Sequence, residues 1–321
     1  MIPSIVNLEL TNRCNLECIF CDHSTLKKNM RLGEMDENLL ESILISLKTF
    51  HIFELGLVGL GEPLLNEKLE KHLDIIDRHN ESFTRISLNT NGILLDEAKS
   101  KKIINSPVNF VTVSLNASNR KSYEELSSRD RFEEVVLNIK QFLEILRKGE
   151  RKDFKVSIQF LSSVLNDEKE MKSLFKDYLY DNVIVYKRYV YNKPSVISRA
   201  NGRVNVASAY KINRFPCWSM YTRVYVDIDG NAYPCTIGND SYRDKSDMKI
   251  GNIKDQNLIS IFSSKKINNA RKRAENKKIS FIECEECTAW QLFPNNFHLE
   301  GDKWVLKESN RTRKKELDRA E

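Results

Sequence analysis

Six short apolar runs, each but the last followed by a stretch of helical periodicity, constrain the first two thirds of this chain more than any other feature. Ile5–Leu10, Phe53–Val58, Arg85–Leu88, Phe110–Leu115, Phe154–Phe160 and Val183–Tyr186 read as strands. Between them, Leu39, Leu40, Ile43, Leu44 and Leu47 share one helix face behind Asp36, a good capping residue. Leu69–Ile76, Asp96–Ile104 and Glu168–Leu179 read as further helices, and Phe132, Val135, Val136, Ile139, Phe142, Leu143 and Leu146 mark a longer one. Strand and helix in alternation predict a parallel sheet with helices outside it, because parallel neighbours need crossover connections. A sheet of six such strands curls without closing.

After about Lys193 the pattern changes. Pro194–Ser208 mixes Pro, Ser, Asn and Gly with little periodicity and reads as a linker. Two short strands, Arg223–Ile228 and Ala232–Pro234, then flank Asp229-Gly230-Asn231, a hairpin signal. A basic helix follows over Leu258–Glu275, and Gly301–Glu321 is dominated by charge, with Trp304, Val305 and Leu306 expected to dock its start. The expected organisation is a (β/α) domain over 1–192, a linker over 193–214, a small second domain over 215–290 and a tail over 291–321.

The length of 321 residues and an apolar share of 40% suit an ordinary globular protein with a sizeable core. No apolar run approaches a membrane span and no signal-like segment follows Met1, so a cytoplasmic protein without membrane partners is expected. The net charge of +6 is spread among carboxylates, as in Arg147–Lys155 and Arg271–Lys278, which reads as solvated helix faces and not as a nucleic-acid stripe. Seven cysteines fall in three groups, Cys14/Cys18/Cys21, Cys217/Cys235 and Cys284/Cys287, which in a reducing compartment points to metal ligation.

Cys14, Cys18 and Cys21 form C-x₃-C-x₂-C directly after the first strand. Three thiolates on one short loop leave one iron of a four-iron cubane without a protein ligand, free to chelate another molecule. Simple burial or a zinc site are the alternatives, although zinc favours C-x₂-C pairs and His23 is poorly placed to close a tetrahedron. The motif resembles that of the radical S-adenosylmethionine (SAM) superfamily, whose open iron binds the amino and carboxylate groups of SAM. That resemblance implies a partial (β/α)₆, TIM-like barrel with its chemistry at the C-terminal strand ends.

Further residues carry the resemblance. Phe20, before the third cysteine, matches an aromatic that packs near the adenine, and Gly59-Leu60-Gly61-Glu62-Pro63 resembles the family's G-G-E-P motif. It implies that Gly59 and Gly61 allow close backbone approach and that Glu62 receives the SAM ammonium. Asn89 and Asn91, within Asn89-Thr90-Asn91-Gly92, match a T-N-G at the third strand end, and Ser114 and Asn116 match contacts to the ribose or carboxylate. Arg129 is a candidate for the carboxylate and Gln159 for the adenosine.

Cys217, Cys235, Cys284 and Cys287, with the hairpin between the first two, resemble the twitch domain, a shortened SPASM domain; structural zinc is the alternative. The resemblance implies two [4Fe–4S] clusters and SAM as cofactors, the second cluster fully ligated and suited to moving an electron. It also implies a flavodoxin- or ferredoxin-type electron donor. The spacing and the short tail are similar to the 2-deoxy-scyllo-inosamine dehydrogenases, which oxidise a cyclitol alcohol. The expected function is therefore radical oxidation of an alcohol on a sugar, cyclitol or similar small molecule. The alternative is epimerisation, thioether formation or carbon cross-linking of a ribosomally made peptide. Against some forms of it, all seven cysteines are committed, and Thr236 stands where sulfatase maturases place an Asp base. Arg188 and Arg199 are candidate substrate contacts, and His23 is the candidate titrating residue.

Overall fold

Nine strands share one sheet in the computed structural model, which describes residues 1–149, 151–190, 198–205, 216–236, 246–285, 287–292, 297–300 and 303–306. They are β1 (Ile5–Leu8), β2 (Ile52–Leu57), β3 (Phe83–Thr90), β4 (Phe110–Asn116), β5 (Lys155–Leu161), β6 (Val183–Arg188), β7 (Arg223–Val226), β8 (Asn231–Tyr233) and β9 (Gly251–Asn252). The spatial order is β6-β5-β4-β3-β2-β1-β7-β8-β9, and β1 to β6 are parallel throughout. This is the open, six-stranded α/β barrel that the alternation predicts.

The helices are α1 (His23–Leu26), α2 (Glu37–Leu47), α3 (Leu69–Asp77), α4 (Glu97–Ile104), α5 (Arg120–Ser127), α6 (Phe132–Lys148), α7 (Glu168–Leu174), α8 (Ser219–Thr222), α9 (Leu258–Phe262) and α10 (Lys265–Glu275). Asp36 caps α2 by accepting from the amides of Asn38 and Leu39. Along the strands side chains alternate between faces. Val6, Leu8, Leu57, Leu88, Val111, Val113, Val156 and Ile158 are all fully buried in the apolar core. Positions between them are polar: Asn7, Ser87, Thr112, Ser114, Ser157 and Gln159. Parallel strands covered by helices on both faces read as continuous apolar runs. The alternation here therefore leaves a polar inner face, where Ser114, Gln159 and Tyr186 stand in register across β4, β5 and β6.

Several expectations are revised. The second domain is continuous with the barrel: β7 pairs parallel with β1, Ile5–Leu8 against Arg223–Val226, so β1 is hydrogen-bonded on both edges. The hairpin is present as β7 and β8, paired antiparallel, with Gly230 at φ +86° in the turn, where a Cβ would be strained. α5, unforeseen in the sequence, is set by a capping box between Asn119 and Ser122. The basic helix divides into α9 and α10, because Ser264 takes extended backbone as the cap of the second. Part of the linker, 194–197 and 206–208, lies outside the described residues. Within it, Val204 forms a bridge with Ser163 and the Asn205 amide donates to the Ser162 carbonyl (2.8 Å), so this stretch is tied to the end of β5. In the tail, β10 (Phe297–Glu300) and β11 (Lys303–Leu306) form an antiparallel pair, while 301–302 and 307–321 lie outside the described residues. Among the described residues, no helix is long and apolar enough to cross a membrane.

Asp227, fully buried, organises the hairpin. Its carboxylate accepts from the amides of Asp229 and Asn231 (both 2.9 Å), the Asn231 side chain (3.0 Å) and the Tyr233 hydroxyl (3.3 Å). Asp227→Ala leaves those donors buried without an acceptor and should cost about 2–3 kcal/mol, read as a lower urea midpoint at unchanged slope. An unchanged midpoint would contradict this role.

Candidate active site

β1 delivers the chain into the first cysteine loop, and a set of buried bonds holds that loop still. Asn12, fully buried, donates from its side chain to the Arg31 carbonyl (2.8 Å) and accepts from the Gly33 amide (2.8 Å). Thr11 donates to the Gly33 carbonyl (2.9 Å). The amides of Ile19 and Glu17 donate to the carbonyls of Leu126 (3.0 Å) and Ser127 (3.4 Å), so Cys18 lies between two anchors on the last turn of α5.

None of the seven cysteines is paired in a disulfide. Burial pushes the Cys14 thiol up to about 12 and the Cys18 thiol well above its ordinary value, and each is raised further by Cys21. Three thiols close enough to oppose one another's ionisation suit a site where bound metal deprotonates them outright. Among the described residues, no three His, Cys, Asp or Glu side chains converge tightly enough to grip one metal ion.

The loop after β2 brings Glu62 beside these thiols, close enough to raise Cys14. Glu62 Oε1 accepts from the Leu64 amide (3.1 Å) and the Thr90 hydroxyl (2.7 Å), and Oε2 from the Asn91 amide (2.6 Å). Burial still pushes its carboxyl up to about 7 against these bonds. A carboxylate offers about four lone-pair positions, so Oε2 retains one, and an ammonium placed there would favour the charged form. The two glycines before it approach the chain itself. A Cβ on Gly61 would lie 2.2 Å from the Thr11 carbonyl oxygen, and one on Gly59 would lie 2.6 Å from Glu9 Cγ. Close packing of this loop on the cysteine loop, not ligand approach alone, requires them.

Asn91 also donates to the Asn15 side chain (2.7 Å), joining the third strand end to the cysteine loop. Asn89 is half-buried on β3. Gln159 Nε2 reaches Asn116 Oδ1 (3.3 Å) and Ser114 Oγ (3.4 Å), and the Tyr186 hydroxyl donates to Gln159 Oε1 (2.6 Å). Asn116 adopts φ +61°, a left-handed conformation that asparagine tolerates. Phe20 is half-buried against the core. Arg188, at the end of β6, favours the charged form of Cys18 and so lies toward the cysteine loop.

Three further expected residues adjoin the cysteine loop. Arg199 donates to the Cys21 carbonyl (2.9 Å) and the Thr25 hydroxyl (2.8 Å) and pairs with Asp22 (2.7 Å), which braces that loop. His23 is buried, with Nε2 bonded to the Asn12 carbonyl (2.8 Å); a carbonyl only accepts, so this nitrogen carries the proton, and the ring serves as a strut. Arg129 is exposed, near Glu17 on the outer side of the loop. Sequence reading missed Asn15 and Tyr186, polar residues whose signal lay only in register or in a loop partner; Thr90 lay within the T-N-G match, but its bond to Glu62 was not foreseen.

The second cysteine group borders a pocket of its own, lined by Cys217, Cys284, Met220, Ala274 and Ser280 among others. Burial pushes the Cys217 thiol up to about 12, and Cys235 and Cys287 raise it further. Buried Arg271 donates to the carbonyl of Met220, one of the lining residues (2.9 Å), and stacks on Phe262 (4.6 Å). Cys217 and Cys284 on this pocket, with Cys235 and Cys287 close enough to act on Cys217, bring together the four thiols that a fully ligated iron–sulfur cluster needs.

Comparison with known proteins follows this geometry. Residues 8–169 match the profile of the radical SAM superfamily, and residues 217–288 that of SPASM, an iron-sulfur cluster-binding domain. An uncharacterized protein of Methanocaldococcus jannaschii, MJ0804, is 30% identical over 183 residues, 56% of this chain and 58% of its own length. GTP 3′,8-cyclase of Aquifex aeolicus is 30% identical over 159 residues, 48% of this chain and 46% of its own. The chain thus spans about half the length of these relatives. Among solved structures, BtrN in complex with AdoMet and 2-DOIA superposes with a TM-score of 0.58 at 17% identity, covering 89% of this chain and 93% of that one. Streptococcus suis SuiB bound to precursor peptide SuiA gives 0.62 at 15% identity, covering 91% and 71%. At such identities the likeness is one of fold. With the first profile covering half of its length and a SPASM domain behind it, the chain belongs to the radical SAM superfamily.

Proposed function

We propose that this radical SAM enzyme oxidises an alcohol on a sugar, cyclitol or similar small molecule. The observation that carries the reading is an asymmetry between its cysteine groups. Cys14, Cys18 and Cys21 supply three thiols on one loop, and Cys217 and Cys284, which line a pocket of their own, are joined by Cys235 and Cys287 to make four. When bound, SAM and a cluster at the first site supply a 5′-deoxyadenosyl radical for hydrogen abstraction, and a fully ligated cluster at the second supplies a one-electron sink. For an alcohol the balance closes: the carbinol C–H and the hydroxyl O–H break, a C=O forms, and one hydrogen atom, one proton and one electron leave. An isomerisation or cross-link that returns the electron would give the second site less to do. A flavodoxin- or ferredoxin-type donor would reduce the first site.

The chain's own residues then bind and orient. Glu62 holds the ammonium of SAM, and its three protein donors fix the carboxylate before the ligand arrives, which lowers the cost of binding. Asn91 keeps the Glu62 loop and the cysteine loop in one register. Ser114, Asn116 and Gln159 offer donors and acceptors to the adenosine. Tyr186 and Arg188 face the substrate from the last strand. A second reading, modification of a ribosomal peptide, is favoured by the apolar exposure on and just after β6, where Ile184 is 52% exposed and Tyr189, one residue past the strand, 47%. BtrN, whose structure holds 2-DOIA, and SuiB, whose structure holds SuiA, mark the two alternatives among folds of this kind.

Substrate deuterium separates them. The cluster-loaded enzyme, given SAM, reductant and polyols deuterated at each carbinol carbon, should place deuterium in 5′-deoxyadenosine and yield a ketone two hydrogens lighter than the alcohol. Deuterium arriving only from labelled peptides would overturn the alcohol reading in favour of the second. Glu62→Gln should lower kcat/KM for SAM at least about tenfold, mostly through KM, as loss of a charge-assisted bond predicts. Unchanged KM would contradict the assignment of Glu62.

A further inference from the structure

The end of α10 carries positive charge that the chain does not neutralise. Lys272, Arg273, Lys277 and Lys278 are all exposed. On other helices a surface cation meets a carboxylate of its own helix, as Lys101 does Glu97, Arg147 does Glu144 and Lys172 does Glu168. Among the described residues, no carboxylate pairs with Lys272, Arg273 or Lys278. The acidic neighbours are engaged elsewhere: Glu275 Oε1 accepts from the Tyr221 hydroxyl (3.0 Å), Glu283 Oε1 from the Ser246 hydroxyl (2.7 Å), and Asp247 pairs with Lys266 (3.9 Å). Across 272–285 the exposed charges are therefore four positive and one, Glu285, negative. A helix C-terminus favours cations in its last turn, and Arg273 also donates to the Ile279 carbonyl (2.9 Å), so those two positions have a local reason. Lys277 and Lys278 lie beyond the helix cap, and Lys277 holds φ +60°, a left-handed position more often given to glycine.

These charges stand at the second cysteine group. Lys277 and Lys278 line the pocket that Cys217 and Cys284 border, and with Lys272, Arg273 and Asn276 they also line a surface hollow that adjoins it. Ile282, two residues before Cys284, is 71% exposed and gives the same segment an apolar contact point. Electron-transfer encounters bury small interfaces and are steered by opposite charge. The exposed residues of 272–285 include no aromatic ring on which a nucleic-acid base could stack, so the complement is an acidic protein. Turnover calls for such a partner: each alcohol oxidised leaves one electron at the second cluster, which can receive another only after passing that one on.

We propose that the basic end of α10 is the docking surface for an acidic one-electron carrier protein of the flavodoxin class, which withdraws the electron from the second cluster. The inference rests on the reading of Cys217, Cys235, Cys284 and Cys287 as ligands of a one-electron sink. In the transfer the cluster loses one electron, and the oxidised flavin of the carrier gains it together with one proton from solvent.

The test uses the cluster-loaded protein and an oxidised flavodoxin of net negative charge, at low and at physiological ionic strength. Calorimetry reads the Kd of the carrier. Freeze-quench electron paramagnetic resonance reads how fast it reoxidises the pre-reduced second cluster, recognised as the signal that SAM leaves unchanged. Lys272→Glu combined with Lys278→Glu should weaken binding and slow reoxidation at least about tenfold at low salt. Added salt should slow the native chain toward the variant, while iron content and SAM cleavage driven by dithionite stay the same. Lys272→Gln combined with Lys278→Gln should fall between the two and serves if the charge-reversed chain does not fold. Equal Kd and equal rate in variant and native chain would overturn the proposal. So would carrier binding that depends on these lysines without loss of the electron from the second cluster, or lysine-dependent binding of inorganic phosphate or an RNA oligonucleotide with the carrier unaffected. About four irons in the intact chain, or zinc at the second group, would instead overturn the ligand reading beneath it.

Discussion

Glu9 holds together three loops on which everything else depends. It is fully buried at the end of β1, where the chain turns toward Cys14. One carboxylate oxygen accepts from the Leu60 amide (3.0 Å) and the other from the Ile228 amide (3.4 Å). A buried carboxylate is costly unless its oxygens are hydrogen-bonded. The loop after β2 and the turn of the β7–β8 hairpin provide those bonds, and so are fixed relative to the strand that carries the first cysteines. Backbone bonds reinforce the arrangement: the Val58 amide donates to the Leu8 carbonyl (3.1 Å) and the Glu9 amide to the Val226 carbonyl (3.0 Å). Both cysteine groups are therefore positioned from one strand, paired on both its edges.

The polar inner face of the sheet gives that frame its chemical use. An interior of Asn, Ser, Thr and Gln is a poor core, and its side chains bond to one another across strands, as Gln159 does with Ser114, Asn116 and Tyr186. Such groups offer neutral donors and acceptors without fixed charge. Glu62 and Arg188 stand at the rim beside the cysteine loop, while the charge of Glu54 on the same sheet is met by Arg85 and the Ser87 hydroxyl. This division suits a site that binds a polar cofactor in its lumen and performs charge transfer at its edge.

Much of this was legible in the sequence. Strand and helix positions followed from periodicity, because a helix packing one face on a sheet must repeat its apolar residues at 3.6. Grouping of the cysteines survived as well, since thiol spacing within a loop needs no tertiary context. What sequence could not give was pairing over distance. Nothing in Arg223–Val226 announces that it will pair with β1, and nothing in Arg199 shows that it will brace Cys21 and Asp22. His23 looked titratable because of its place beside a cysteine, yet burial and the Asn12 carbonyl commit its Nε2. Gly59 and Gly61 were read as ligand-approach glycines, although the atoms that exclude a Cβ belong to Glu9 and Thr11.

The central claim is that one cysteine group is incomplete by design while the other is complete. It is tested most directly by counting iron and sulfide after anaerobic reconstitution, in the intact chain and in variants lacking each group. The account predicts about eight irons per chain, falling to about four when either Cys14/Cys18/Cys21 or Cys217/Cys235/Cys284/Cys287 is removed, with SAM altering the spectrum only of the cluster at the first group. About four irons in the intact chain, or zinc in place of iron at the second group, would contradict it.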